Sequence, residues 1–218
     1  TEEDIAALAH EPGVLTARGA YTIDAILPWE NNDYIVKVLS LSEDVNLPAL
    51  KEGRLPQAAD ECLAEPRLMT EAGLELGDRI TLNTGEGDYK DALAGDTFTI
   101  VGTADTPLYI GVERGSSTLG TGKVSAYLLL PEAAFTMDAY TDAYLVMEGT
   151  AELETYSDAY EDRMEGYTVQ LEELGDVRAP LRRKEILDEA NGKLSDAQAE
   201  LDEARAEAEA ELSDAEAE

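Results

Sequence analysis

From Leu187 onward an apolar residue recurs at alternating steps of three and four: Leu187, Ala190, Leu194, Ala197, Leu201, Ala204 and Ala208. An α-helix turns that spacing into one continuous stripe, which leaves water only by facing a partner helix. The sequence therefore predicts a coiled-coil helix over 179–218. At ~1.5 Å per residue its periodic part makes a rod on the order of 55 Å. Alternating leucine with alanine lets helices approach closely, although it buries little surface per turn. The stripe lies in a dense run of acids, with only Lys193 and Arg205 nearby to offset them. Parallel self-pairing would bring those like charges together, so the expected partner is an antiparallel return helix absent from this chain. A solvated single helix is the simpler alternative.

Charge then removes whole classes of partner. Forty-eight acids against sixteen bases leave a formal net charge of −32. Repulsion at that level opposes approach to DNA, RNA or an anionic lipid surface, and no nucleic-acid partner is expected. The single cysteine, Cys62, rules out an internal disulfide. With 218 residues and 44% hydrophobic content the chain is long enough to bury a core. It has no run of ~18 apolar residues and does not open on a signal peptide. It begins at Thr1 without a methionine and stops inside a charged repeat, as an excised piece of a longer protein would, with membrane spans in its flanks.

The body reads as mixed α and β. EEDIAALAH, Glu2 to His10, predicts a short helix stopped by Pro12-Gly13. GVLTARGAYTIDAIL reads as one or two strands and YIVKVLSL, from Tyr34, as another, with a polar turn between them at 30–33. Further strands are expected at Glu61 to Ala64, Asp78 to Leu82, Thr97 to Asp105, Val124 to Pro131 and Ala143 to Glu148. A helix is expected from Pro66 to Ala72 and another from about Ala151 to Met164, the latter followed by a strand at YTVQLEEL.

The chemical motifs fail one after another. GTGKV, from Gly120 to Val124, suggests a phosphate-binding loop, which needs Gly, four residues, then Gly-Lys-Ser/Thr. Ser117 stands where the first glycine belongs, and Val124 replaces the hydroxyl residue while opening an apolar strand in place of a helix. The glycines are expected to shape an irregular loop instead. His10, the only histidine, ends a short helix. Cys62 sits in the strand ECLA, as a small buried hydrophobe does. GEGDYKDALAGD, Gly85 to Asp96, lacks the alternate acids and central glycine of a calcium loop and reads as a solvated hairpin tip. No Gly-x-Ser-x-Gly elbow, His-Glu-x-x-His helix or paired-cysteine zinc spacing occurs. No enzyme, cofactor or dedicated metal site is expected.

One longer stretch is more specific. LPALKEGRLPQAADECLAEPRLMTEAGLELGDRITL carries Gly53, Arg54, Leu55, Pro56, Glu61, Gly73, Leu74, Gly77 and Asp78, followed by Phe98, Ile100, Val101 and Gly102. In order and spacing it resembles the extracytoplasmic domain of MacB/FtsX-like ABC transporter permeases, over roughly Gly13 to Leu174. The glycine-punctuated loop with Arg114, Gly115, Leu119, Gly120, Gly122 and Lys123 is similar to that of the larger Gram-positive members, as is a coiled-coil insertion. The resemblance implies an α+β, two-lobed domain: an α+β lobe from 1–45 and 139–178, and a mostly β lobe from 46–138. It also implies a non-catalytic domain outside a cell membrane of the Gram-positive type, joined through missing transmembrane helices to a cytoplasmic ATPase subunit. That domain would relay motion to an external substrate or partner protein, with the loop at 114–123 as partner contact. The compact Gram-negative members lack such an acidic coil, which argues against adaptor binding of the MacB kind. A surface-anchored adhesion or scaffold protein with a coiled-coil spacer is the alternative.

Overall fold

The computed structural model describes residues 1–85, 89–111 and 113–217, with side chains to 206 and at 208. In chain order its elements are α1 (Glu2–Ala9), β1 (Val14–Ala20), β2 (Thr22–Trp29), β3 (Asn32–Ser40), β4 (Ala49–Gly53), β5 (Glu61–Ala64), α2 (Pro66–Ala72), β6 (Arg79–Thr81), β7 (Thr97–Asp105), β8 (Ala126–Leu130), β9 (Asp142–Met147) and α3 (Asp158–Ala217). The class is α+β. By its contacts the chain separates into two units, Thr1–Gly149 and Thr150–Glu218.

In the first unit a seven-stranded mixed sheet runs β2-β3-β8-β5-β7-β4, with β6 also on β7. β7 is long enough to serve two neighbours on one side: β6 pairs with its first residues, Thr97 to Thr99, and β4 with its last, Gly102 to Asp105. The central strand β8, AYLLL, is buried at every residue. Its alternate side chains serve opposite faces of the sheet, because strand side chains have a period of two. Ala126, Leu128 and Leu130 enter the larger core with Val36, Cys62, Leu68, Ile80 and Phe98, whereas Tyr127 and Leu129 enter a smaller one with Leu39, Leu63 and Ala104. A continuous apolar run rather than an alternating one follows from that double cover. β1 and β9 pair separately as an antiparallel two-stranded sheet, with α1 beside β1.

The β2–β3 hairpin lies in the segment expected in the first lobe, yet β3 pairs in parallel with β8, Val36 opposite Ala126. Val36 and Val38 need a strand beside them whose own side chains share their core, and β8 supplies it. Two local expectations are corrected. Of the helix expected from about Ala151 to Met164, residues 151–157 form turns and bends and only the part from Asp158 is helical, and YTVQLEEL is part of α3 instead of a strand. Alternation of Val169 and Leu171 with polar residues mimics a strand, but the segment forms helix, which satisfies its backbone hydrogen bonds internally. The segment 179–218 is thus the C-terminal part of one longer helix, which contains Pro180. The stretch expected as a solvated hairpin tip also carries Leu93, which is fully buried, and Ala94 N–H donates to the carbonyl of Ala134 at 2.9 Å. Residues 86–88 of that stretch lie outside the described residues.

Candidate partner-binding surfaces

The residues that carry the family resemblance interlock around β7. Gly53 has φ +75°, and a Cβ there would strike the carbonyl oxygen of Val101. Opposite it, a Cβ on Gly102 would come within 2.6 Å of the Arg54 carbonyl. The two glycines let β4 and β7 meet at closest approach, which no side chain permits. Arg54 then turns its guanidinium onto Glu61, Nη1 donating to Oε2 at 2.7 Å, and the Gln57 N–H donates to the same oxygen at 2.7 Å. These donors hold the Glu61 carboxyl at about 2, with Arg54 the larger cause. At the next corner the Gly77 N–H donates to Ile100 and the Ile100 N–H to Asp78, at 2.8 and 2.9 Å, while the Asp78 carboxylate accepts from Glu75 N–H at 2.8 Å. Every one of these polar groups is engaged within the joint.

The glycine-rich loop is pinned from inside. Arg114 is buried, and its Nη2 donates to Glu65 Oε1 at 2.6 Å while Nε donates to Oε2 at 3.3 Å. Its guanidinium carbon lies 5.1 Å from the Tyr109 ring centre and 5.4 Å from that of Tyr127, and the two rings stack on each other. Glu65 also accepts from Tyr127 N–H and stands 3.3 Å from Arg67 Nε. The carboxylate keeps the Arg114 pKa above its ordinary value, and burial pushes the Tyr127 phenol up to about 12. Such a buried pair is costly to split, since either survivor is a charge out of water.

Of the other loop residues, Gly115 and Lys123 are exposed, and Gly120 sits over Ile35, with φ +51° and a would-be Cβ 2.6 Å from Cδ1. Gly122 N–H donates to Leu119, whose side chain is half-buried, and Ser116 bridges to Lys123. The structure therefore leaves Lys123 and the glycine backbone outward but makes Arg114 an internal anchor. Glu65, Tyr109 and Tyr127 escaped the sequence reading. The available signal was a glutamate immediately before the Pro66 that opens α2, a position where helix amides are free.

On α3 the seam residues Leu187, Ala190, Leu194, Ala197, Leu201, Ala204 and Ala208 are all exposed, Leu194 by 69%. Large aliphatic side chains left in water at regular helical spacing mark a face that another helix can cover.

The reactive residues lie apart in environment. His10 is exposed at the end of α1, with Nδ1 2.6 Å from the Ala6 carbonyl. Cys62 is fully buried in β5, and burial pushes its thiol up to about 12. Among the described residues no group of three or more His, Cys, Asp or Glu is placed to hold a metal ion. No described helix is long and apolar enough to cross a membrane.

Clefts open on the first unit. One, of about 830 Å³, is lined by α1, β1, the residues after β3 and those flanking β4. Another, of about 710 Å³, lies beside Arg114, Arg67 and Tyr109.

No protein-family profile matches the chain, and no curated protein matches it in sequence. Among solved structures it is similar to the extracellular domain of the ABC-type transporter YknZ from Gram-positive bacteria. That match has 14% identity and a TM-score of 0.45, covering 70% of this chain and 75% of the other. It is also similar to the periplasmic region of MacB from Actinobacillus actinomycetemcomitans, at 12% identity and a TM-score of 0.45, covering 81% of this chain and 73% of the other.

Proposed function

We propose that this chain is the extracytoplasmic domain of an ABC transporter permease and works without a reactive centre of its own. In this reading a cytoplasmic ATPase subunit drives transmembrane helices outside this sequence, and the domain passes their motion to an external substrate or partner protein. The cell envelope would be of the Gram-positive type, with this domain on its outer side. The observation that carries the reading is the joint around β7. Gly53, Arg54, Glu61, Gly77, Asp78 and Gly102 are among the residues of the family resemblance, and their hydrogen bonds and close packing run to one another and to adjoining residues of the joint such as Gln57, Glu75, Ile100 and Val101. Residues engaged in that way serve shape and stiffness, as a mechanical relay requires.

Within this proposal α3 is a lever or docking arm whose exposed leucine stripe takes the antiparallel return helix. The loop from Gly115 to Lys123 offers a second contact. The test has two parts. Sequence on both sides of this segment is expected to encode transmembrane helices, with an ATPase encoded beside it; a sortase signal there would overturn the proposal in favour of a surface-anchored scaffold. In the intact permease, Leu194→Asp with Leu201→Asp is expected to abolish transport or signalling while the protein still reaches the membrane. Unchanged activity would remove the lever.

A further inference from the structure

We infer that the larger cleft is a docking groove for an extended peptide segment in which arginine or lysine alternates with large aliphatic side chains. The inference stands apart from the permease reading, because it uses only the walls of the groove. At 830 Å³ the volume falls in the ~300–1,000 Å³ range of ligand sites. Its apolar lining comprises Ile5, Leu41, Pro48 and Pro56 together with the more exposed Leu47 and Leu55. Those two leucines are 56% and 51% exposed, before and after the edge strand β4 in the chain. Exposed leucines concentrated on a concave surface mark an interaction site more strongly than scattered ones do.

The charged lining selects the occupant. Glu2, Glu43 and Glu132 face the same cleft. The Tyr140 hydroxyl is hydrogen-bonded to both Glu2 and Glu132, yet it has one proton to donate, so the two carboxylates share it. Glu2 is the main cause holding the phenol neutral, its pKa raised above the ordinary value. Arg18, the cation in the lining, is already committed to Asp44, with Nε at 2.8 Å from Oδ1 and Nη2 at 2.6 Å from Oδ2. The groove therefore presents surplus negative charge beside uncovered leucines. A purely apolar ligand would desolvate those carboxylates without a partner, and a small cation would leave the leucines in water. A lysine or arginine next to leucine or isoleucine meets both demands, because its long stem packs on the apolar wall while its head reaches the acids.

The experiment uses the whole 218-residue chain. A fluorescein-labelled peptide alternating arginine and leucine is titrated by anisotropy against the same peptide with glutamate in place of arginine. The basic peptide is expected to bind and the acidic one not to. Glu2→Gln with Glu132→Gln is expected to weaken binding about fivefold, the size of two partly exposed ion pairs. Leu55→Ser, at an exposed position that does not threaten folding, is expected to weaken it as well. Asp196→Asn with Glu200→Gln on α3 serves as the control for bulk attraction to an acidic protein and is expected to change nothing. Methyl NMR is expected to move Ile5, Leu47 and Leu55 on peptide addition. Equal weakening by the α3 control, or shifts at Leu187, Leu194 and Leu201 instead, would overturn the inference. So would indifference to Leu55→Ser.

Discussion

Glu65 and Arg114 show how far a single side chain's role can depend on what the fold wraps around it. Their side chains are 4% and 8% exposed, so removing either one leaves the other's charge buried without its partner. Arg114→Ala is expected to destabilise the first unit by about 3 kcal/mol, moderated because Arg67 still approaches Glu65. Replacing both with apolar residues of similar volume should recover much of that loss. Urea denaturation of the two variants checks the pair; equal losses would show that the buried contact carries no coupling. Glu61 sets a pH dependence of opposite origin. Its folded pKa, about 2, lies below its unfolded value, so its ion pair with Arg54 stabilises the chain above the ordinary carboxylate range. That stability is lost as pH falls through the unfolded value toward 2. Glu61→Gln should therefore flatten the acid limb of the stability curve, and an unchanged limb would refute the assignment.

At the scale of elements, strand pairing around β7 depends on backbone approach more than on side-chain chemistry. Gly53→Ala must accept both φ +75° and a collision with the Val101 carbonyl. The positive φ alone is worth about 1–3 kcal/mol, and β4 is expected to detach from the end of β7. Loss of amide protection at Gly53 and Gly102, read by NMR, checks this; retained protection would mean the strands can separate enough to admit a methyl group. Local pattern was legible where an element's neighbours repeat its own rule. The strands at Glu61–Ala64 and Thr97–Asp105 and the helix Pro66–Ala72 form at the residues their patterns mark. Val169 and Leu171 misled because a short alternating pair suits either period.

The two units hold their structure by different means. The first buries β8 from both faces, while α3 leaves Leu181, Leu187, Leu194 and Leu201 exposed and contains Pro180. Where those leucines stand uncovered, the helix relies on propensity and on exposed i, i+4 pairs such as Lys184–Asp188 and Lys193–Glu189, each of which contributes little in water. Hydrogen exchange of the free chain is expected to protect β8 strongly and to leave the 185–206 amides exchanging much faster. Uniform protection would show that α3 is already paired in solution.

What the sequence determined by itself is whatever depends on near neighbours or on the total. That covers the departure of GTGKV from the phosphate-loop pattern, the apolar sequence around the cysteine, the strongly negative net charge, and the heptad spacing of leucine and alanine. Only the tertiary structure decided that Arg114 turns inward to Glu65, that β3 finds β8, and that Leu47 and Leu55 border one groove with Glu2 and Glu132. Those pairings join residues tens of positions apart. Periodicity reports which face of an element is apolar, and it carries no information about which distant face will cover it.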